Sequence, residues 1–190
     1  DREVRIVRFG EGDGALELRI GFSFVSEENA RKNLEAEMLG RSFTAVRSEA
    51  TAVWNDLLGR IRVEGGTERE KGFFYSCLYR SFLWPALRSD VNGEFTDADG
   101  EVVNTGFRYY TGPSYWDDYR NKLILLGLLA PDVAADVISS DTDRGEKQGG
   151  FMPTFFHGDH ASAFVAGTYL RGNRGFDVNR AYNLVLRNAI

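Results

Sequence analysis

Two apolar runs in this chain stop at prolines, and together they restrict the architectures open to it. The first, KGFFYSCLYRSFLW, follows Thr67-Glu68-Arg69-Glu70, which fits the capping-box pattern of a helix start, and Pro85 forbids its continuation. The second, LILLGLLA at 123–130, ends at Pro131, a residue well placed in the first turn of another helix. A helix that is apolar on most faces must be covered on most faces, so both runs belong inside a packed helical layer. Neither reaches the roughly 18 residues of a membrane span, and no membrane partner is expected.

The rest of the chain supplies further helices and a short β lead-in. Val4–Phe9 and Ala15–Val25 read as two strands joined by the GEGDG turn. From Ser26 the period changes, and SEENARKNLEAEML has a serine N-cap, early glutamates and the charged faces of an exposed linking helix. FTAVRSEATAVWNDLL places Val46, Ala50, Val53, Trp54, Leu57 and Leu58 at helical spacing, with Gly59 as its stop. Between Ser89 and Gly106 the pieces GEFTD and GEVVN suggest a hairpin. Helices are expected over about Trp116–Leu129 and Pro131–Ser140, then a loop through DTDRGEKQGGFMPTFFHGDH, a close-packed helix in ASAFVAGTYLRG, and a last helix from Val178 capped by Asp177. The fold class is therefore mainly α with a β lead-in, similar to part of an (α/α)6 toroid preceded by the last strands of a β-sandwich. The opening on alternating residues without a methionine, and the end inside the helical pattern AYNLVLRNAI, lead to the expectation of a piece of a longer polypeptide.

Composition excludes several function classes. The chain has 190 residues, 43% apolar and 13% aromatic, enough for a core of one domain or a little more. Its 23 basic and 28 acidic residues give a net charge of −5 without a long single-sign block, so no nucleic-acid footprint exists and a small or neutral partner fits better. Cys77, the only cysteine, allows no internal disulfide and no multi-cysteine zinc site, and its apolar helical setting predicts a buried structural thiol. Neither a phosphate-binding glycine loop nor a G-x-S-x-G nucleophile elbow is present.

Chemistry concentrates in two clusters. GFRYYTGPSYWDDYRNK, residues 106–122, crowds four tyrosines, a tryptophan and two aspartates together. At a helix start the aspartates could simply cap free N–H groups, with Arg120 pairing one of them, and for Asp118 that reading stands level with a functional one. For Trp116 and Asp117 sugar binding has more weight, since an aromatic face packs on the C–H side of a sugar ring and a carboxylate accepts bonds from vicinal hydroxyls. The second cluster, FFHGDH at 155–160, holds both histidines of the chain. Its His-x-x-His spacing is not that of the zinc-protease helix, so no metal is assigned to it. Asp159 is open to a cap or a ligand role, and the neighbouring phenylalanines point to a ligand-contacting loop.

The ordered runs FFYSCLYRSFLWP, SDVNGEF, SYWDDYR, QGGFMP and GDHASAFVAGTYLRGNRGFD resemble glycoside hydrolase family 92, the calcium-dependent exo-acting α-mannosidases. The resemblance covers nearly the whole chain. It implies residues 1–25 as the end of an N-terminal β-sandwich, 26–66 as linker helices and 67–190 as the first part of an (α/α)6 catalytic domain. It also implies release of terminal α-linked mannose from glycans by an inverting mechanism, with acid and base about 6.5–9.5 Å apart to admit a water. Trp116 and Asp117 match the family's pair at the terminal mannose subsite, and Asp159 with His160 matches its G-x-H loop. The catalytic glutamate and aspartate, and most calcium ligands, are expected beyond Ile190, so the 190 residues alone are expected to be inactive and their main partner, besides a mannose-containing glycan, is the remainder of their own polypeptide. Secretion or a periplasmic location follows from the resemblance alone. Between QGGFMP and GDH only TFFH remains, which leaves linkage preference open. A mannose-phosphate diester hydrolase of the same family and a non-catalytic carbohydrate-binding or structural helical module are the alternatives. A partial toroid is expected to leave apolar faces of LILLGLLA and FFYSCLYRSFLW uncovered.

Overall fold

The computed structural model describes residues 10, 12, 14, 16–154, 156 and 158–190. It is mainly helical: α1 (Glu27–Met38), α2 (Phe43–Leu58), α3 (Glu68–Ser81), the hairpin β1 (Phe95–Thr96) and β2 (Val102–Val103), then α4 (Tyr115–Asp118), α5 (Lys122–Leu129), α6 (Pro131–Lys147), α7 (His160–Leu170) and α8 (Val178–Ala189).

Local signals set most helix starts. Ser26, Ser42 and Asp177 each accept a backbone N–H three residues on, and Thr67 with Glu70 forms the full reciprocal capping box. Gly59 ends α2. The hairpin is antiparallel with Phe95 opposite Val103, and its turn closes through the Asp97 carboxylate, which accepts the N–H groups of Asp99 and Glu101. Of the two expected lead-in strands, Val4–Phe9 lies outside the described residues. Residues 16–25 form no ladder among the described residues and lie along α1 instead. There Arg19 donates to the Met38 and Arg41 carbonyls, Asn33 donates to the Phe22 carbonyl, and a Cβ on Gly21 would stand 2.2 Å from the Ala30 carbonyl oxygen.

The core forms where α5, α6, α7 and α8 meet, with Leu123, Leu126, Ile138, Phe164 and Leu184 at its centre. Helix α6 is its axis. It packs on α5 and on α8, and nine of its seventeen residues are buried, the polar Ser140, Asp141, Thr142 and Asp143 among them. This corrects the expectation that the helix ends near Ser140 and that DTDRGEK is loop. The acidic run stays helical because each carboxylate is neutralised one turn on: Asp141 pairs with Arg144, and Asp143 with Lys147 at 2.9 Å. The helix stops only at Gly149 and Gly150, whose φ values of 107° and 80° suit glycine.

Two other expectations change, at Asn121 and at Cys77, while the apolar runs of α3 and α5 are partly uncovered as expected. The stretch expected as one helix from Trp116 to Leu129 is two, since Asn121 leaves helical geometry and caps α5 by accepting the Lys122 N–H. Helix α3 is not enclosed: Leu78 is its one buried residue, Phe73 is 72% exposed, and Cys77, expected inside, is exposed. Its contact is with α2, through the rings of Trp54 and Tyr79, 4.5 Å apart. In α5, Leu123 and Leu126 are buried while Leu128 is exposed.

Two predictions follow from α6. A Cβ on Gly145 would lie 2.4 Å from the Phe151 carbonyl oxygen and 3.0 Å from Leu184, because the chain folds back over the helix there. Helix propensity alone would make Gly145→Ala stabilising by about 1 kcal/mol. The steric clash with backbone reverses the sign, and thermal unfolding should show a loss of about 1–3 kcal/mol. The second concerns Asp97, whose carboxylate bonds Lys147 at 2.7 Å and so ties the hairpin to α6. That bond, opposed by burial, holds the Asp97 pKa below its usual value. A lowered folded-state pKa contributes stability above the unfolded value, about 3.9, that is lost as pH falls through the folded one. The stability advantage of the wild type over Asp97→Asn should be constant from about pH 5 to 8 and vanish in acid.

Candidate functional site

The two clusters singled out in the sequence meet at one rim of the helical layer. Helix α4 carries the first and the start of α7 carries the second, and the two helices touch. The Tyr119 and His160 rings stack with centroids 4.2 Å apart and 9° between planes, and the rings of Trp116 and Phe156 lie 6.2 Å apart. Phe155 and His157 lie outside the described residues. Phe156 sits at φ 62°, a left-handed conformation uncommon for an aromatic residue, which turns its ring toward Trp116.

Each candidate has a distinct setting. Trp116 is 43% exposed. Asp117 is exposed and accepts the Ser114 hydroxyl at 2.5 Å. It makes no bond to the amides of its own helix among the described residues, and its Oδ1 has no protein donor there. Asp118 is buried and paired with Lys122 at 3.1 Å, a structural role. Arg120, expected to pair an aspartate, lies instead over the Tyr119 and Trp116 rings at 4.8 and 5.8 Å. Asp159 caps α7, with its carboxylate accepting both the N–H and the hydroxyl of Ser162. His160 opens that helix, and its Nε2 is buried with no partner among the described residues.

What fixes this rim lies beneath it. Tyr115 is 2% exposed, and its hydroxyl donates to Asp141, which also receives Arg144. Burial raises the Tyr115 pKa well above the usual phenol value, so the ring keeps its proton and acts as a donor. Burial likewise pushes Asp141 up, against the pull of the Arg144 guanidinium. The Tyr110 N–H donates to Ser140 at 3.0 Å, and Arg144 donates to the Tyr110 carbonyl at 2.7 Å. Tyr109 stacks on Phe95 at 3.8 Å, joining the hairpin to the same loop. Tyr109, Tyr110 and Tyr115 are thus the buried fastening of a loop whose exposed members include Trp116 and Asp117. Sequence reading misses Asp141 and Arg144 because they lie in the run expected as loop, and Ser140 because it stands at the expected end of the helix. The signal present was the Asp141-x-x-Arg144 spacing, which only a helix brings together.

Among the described residues no three His, Cys, Asp or Glu side chains converge on a point that could hold a metal ion. The Asp90 and Glu94 carboxylates come near each other but are occupied by amide donors, Asn29 and Asn33 on Asp90 and Asn29 and Asn92 on Glu94, at 2.7–2.9 Å. That set suits a clamp between α1 and the Asp90–Glu94 turn that leads into β1, and not a calcium shell, which needs converging free oxygens.

Comparison with known proteins agrees with this architecture. The structure is similar to the family GH92 α-mannosidase BT3965 from Bacteroides thetaiotaomicron, with a TM-score of 0.82 and 29% identity over 88% of this chain and 24% of that one. It is also similar to the family GH92 inverting mannosidase BT2199 from the same organism, with a TM-score of 0.77 and 29% identity over 86% of this chain and 24% of that one. An uncharacterized secreted glycosidase of Arthroderma benhamiae is 34% identical over 87 residues, 44% of this chain and 11% of the relative. The chain therefore spans about a quarter of the solved relatives and about a tenth of the curated one. A profile of the glycosyl hydrolase family 92 catalytic domain matches residues 29–190, and the chain belongs to that family.

Proposed function

We propose that the protein carrying this chain releases terminal α-linked mannose from glycans, and that the rim formed by α4 and the start of α7 is one wall of the terminal-sugar subsite. The observation that carries this reading is the pairing of an exposed Trp116 face with an Asp117 carboxylate left free of helix capping, both held on a loop anchored to the core. A solved family 92 relative, 28% identical, was determined in complex with mannoimidazole, which supports a mannose-shaped ligand.

In this reading Trp116 packs on the C–H face of the sugar and Asp117 accepts from its hydroxyls. His160, fixed by its stack on Tyr119, borders the same space, and Asp159 holds the first turn of α7 so that His160 keeps its place. The acid, the base and most calcium ligands come from the rest of the polypeptide, as does the inverting geometry. Calcium, when bound, would supply a hard cation for the vicinal hydroxyls. Residues 1–25 would close a preceding β-sandwich, 26–66 would link it, and 67–190 would begin the toroid. The secreted relative supports export of the protein.

The test uses the whole protein and an aryl α-mannoside. Asp117→Asn keeps the shape and removes the charge, and should cost roughly 1.5–3 kcal/mol of charge-assisted bonding, a ten- to hundredfold fall in kcat/KM, with an unchanged unfolding temperature. Wild-type kcat/KM in both Asp117→Asn and Trp116→Ala would remove these residues from the site. Binding of mannose glycans without any release of mannose would favour a non-catalytic module.

A further inference from the structure

Helix α4 is too short to hold itself. Four residues make a single turn, far below the length at which a helix is stable alone, and its N-cap Ser114 makes no side-chain capping bond. The direction in which Trp116 and Asp117 point must therefore be imposed from outside. The chain leading into α4 is paired with residues 86–88, where the Thr111 N–H donates to the Ala86 carbonyl at 2.9 Å and the Arg88 N–H to the Tyr109 carbonyl at 2.7 Å, and it is further attached to α6. Tyr110 is held at both its N–H and its carbonyl, by Ser140 and Arg144. At Gly112 the backbone passes at contact distance over the same pair, since a Cβ there would stand 3.7 Å from the Arg144 guanidinium and 3.8 Å from the Asp141 carboxylate. Tyr115 then delivers its hydroxyl to the other Asp141 oxygen.

A buried ionic group is a poor source of stability, because its desolvation offsets most of the attraction, and apolar residues of similar volume often serve as well. What it does supply is direction. Arg144 uses its fork to join a helix carboxylate to a loop carbonyl, and Asp141 accepts from two different elements, so register and tilt of the loop are specified by bond geometry.

We infer that Tyr115, Asp141 and Arg144 are positioning residues that set the presentation of Trp116 and Asp117 to the sugar. This rests on the sugar-subsite reading above. None of the three needs to touch substrate. Their contribution passes through Trp116 and Asp117, which makes it separable from a merely structural one.

The experiment is a double-mutant cycle in the whole enzyme. Tyr115→Phe, which deletes only the hydroxyl, and Arg144→Lys, which keeps the charge and loses the fork, are each made with Trp116 present and with Trp116→Ala. Turnover of an aryl α-mannoside and the affinity for mannoimidazole are measured alongside the unfolding temperature. With Trp116 present, each change should lower kcat/KM and mannoimidazole affinity by about ten- to hundredfold, the scale of a small misplacement. On the Trp116→Ala background the same change should cost several-fold less, since only the share that passes through Asp117 remains. Should Tyr115→Phe fail to fold, the Arg144→Lys cycle decides. Equal penalties on the two backgrounds, or no penalty on either, would overturn the inference and leave the subsite reading intact. Full activity and affinity in both Trp116→Ala and Asp117→Asn would overturn the subsite reading, and the inference with it.

Discussion

The carboxylate of Asp141, buried between the Tyr115 hydroxyl and the Arg144 guanidinium, is the interaction on which the geometry of this chain turns. It sits on the helix that packs against both α5 and α8, so it refers the aromatic loop to the most enclosed part of the molecule. The loop is also held by Tyr109 on Phe95, by Trp84 on the Gly112 carbonyl, by Tyr115 near Phe164 and by the backbone bridge that pairs Leu87 with Tyr110, none of which ties it to α6. The same helix holds the hairpin through Lys147 and Asp97. One helix thus orders, from its second half, both structures that precede the rim.

That second half was the part least legible in the sequence. Ser26, Thr67 and Asp177 announce their helices because a cap acts within four residues, and the hairpin is readable from the nearby pieces GEFTD and GEVVN. DTDRGEK reads as loop because its polar residues have no apolar period. They are buried by partners distant in sequence, such as Tyr110, Tyr115 and Asp97, which no local pattern reveals. The break at Asn121 was hidden by a continuous apolar run behind it. Phe73 and Leu128 are exposed, in line with the uncovered faces expected of their runs, whereas Cys77 marks the opposite failure: a run apolar on most faces signals that it needs cover, but not which face receives it.

The site itself was half visible. Trp116, Asp117, Asp159 and His160 stood out by residue type, and the structure brings the two stretches that carry them to one rim through the Tyr119–His160 stack. Asp118 and Asp159 show why type alone is insufficient. One carboxylate is committed to Lys122 and the other to the first turn of α7, whereas Asp117, next to Asp118 in the chain, has one oxygen without a donor among the described residues. In the proposed sugar subsite this difference has a chemical meaning, since such a subsite needs acceptors not already used by the fold.

The most direct test of the account is a crystal structure of the whole enzyme with mannoimidazole bound. The account predicts the Trp116 ring in van der Waals contact with the inhibitor and an Asp117 oxygen within hydrogen-bonding distance, about 2.5–3.0 Å, of one of its hydroxyls. An inhibitor bound with the α4–α7 rim facing open solvent, and no contact from either residue, would contradict it.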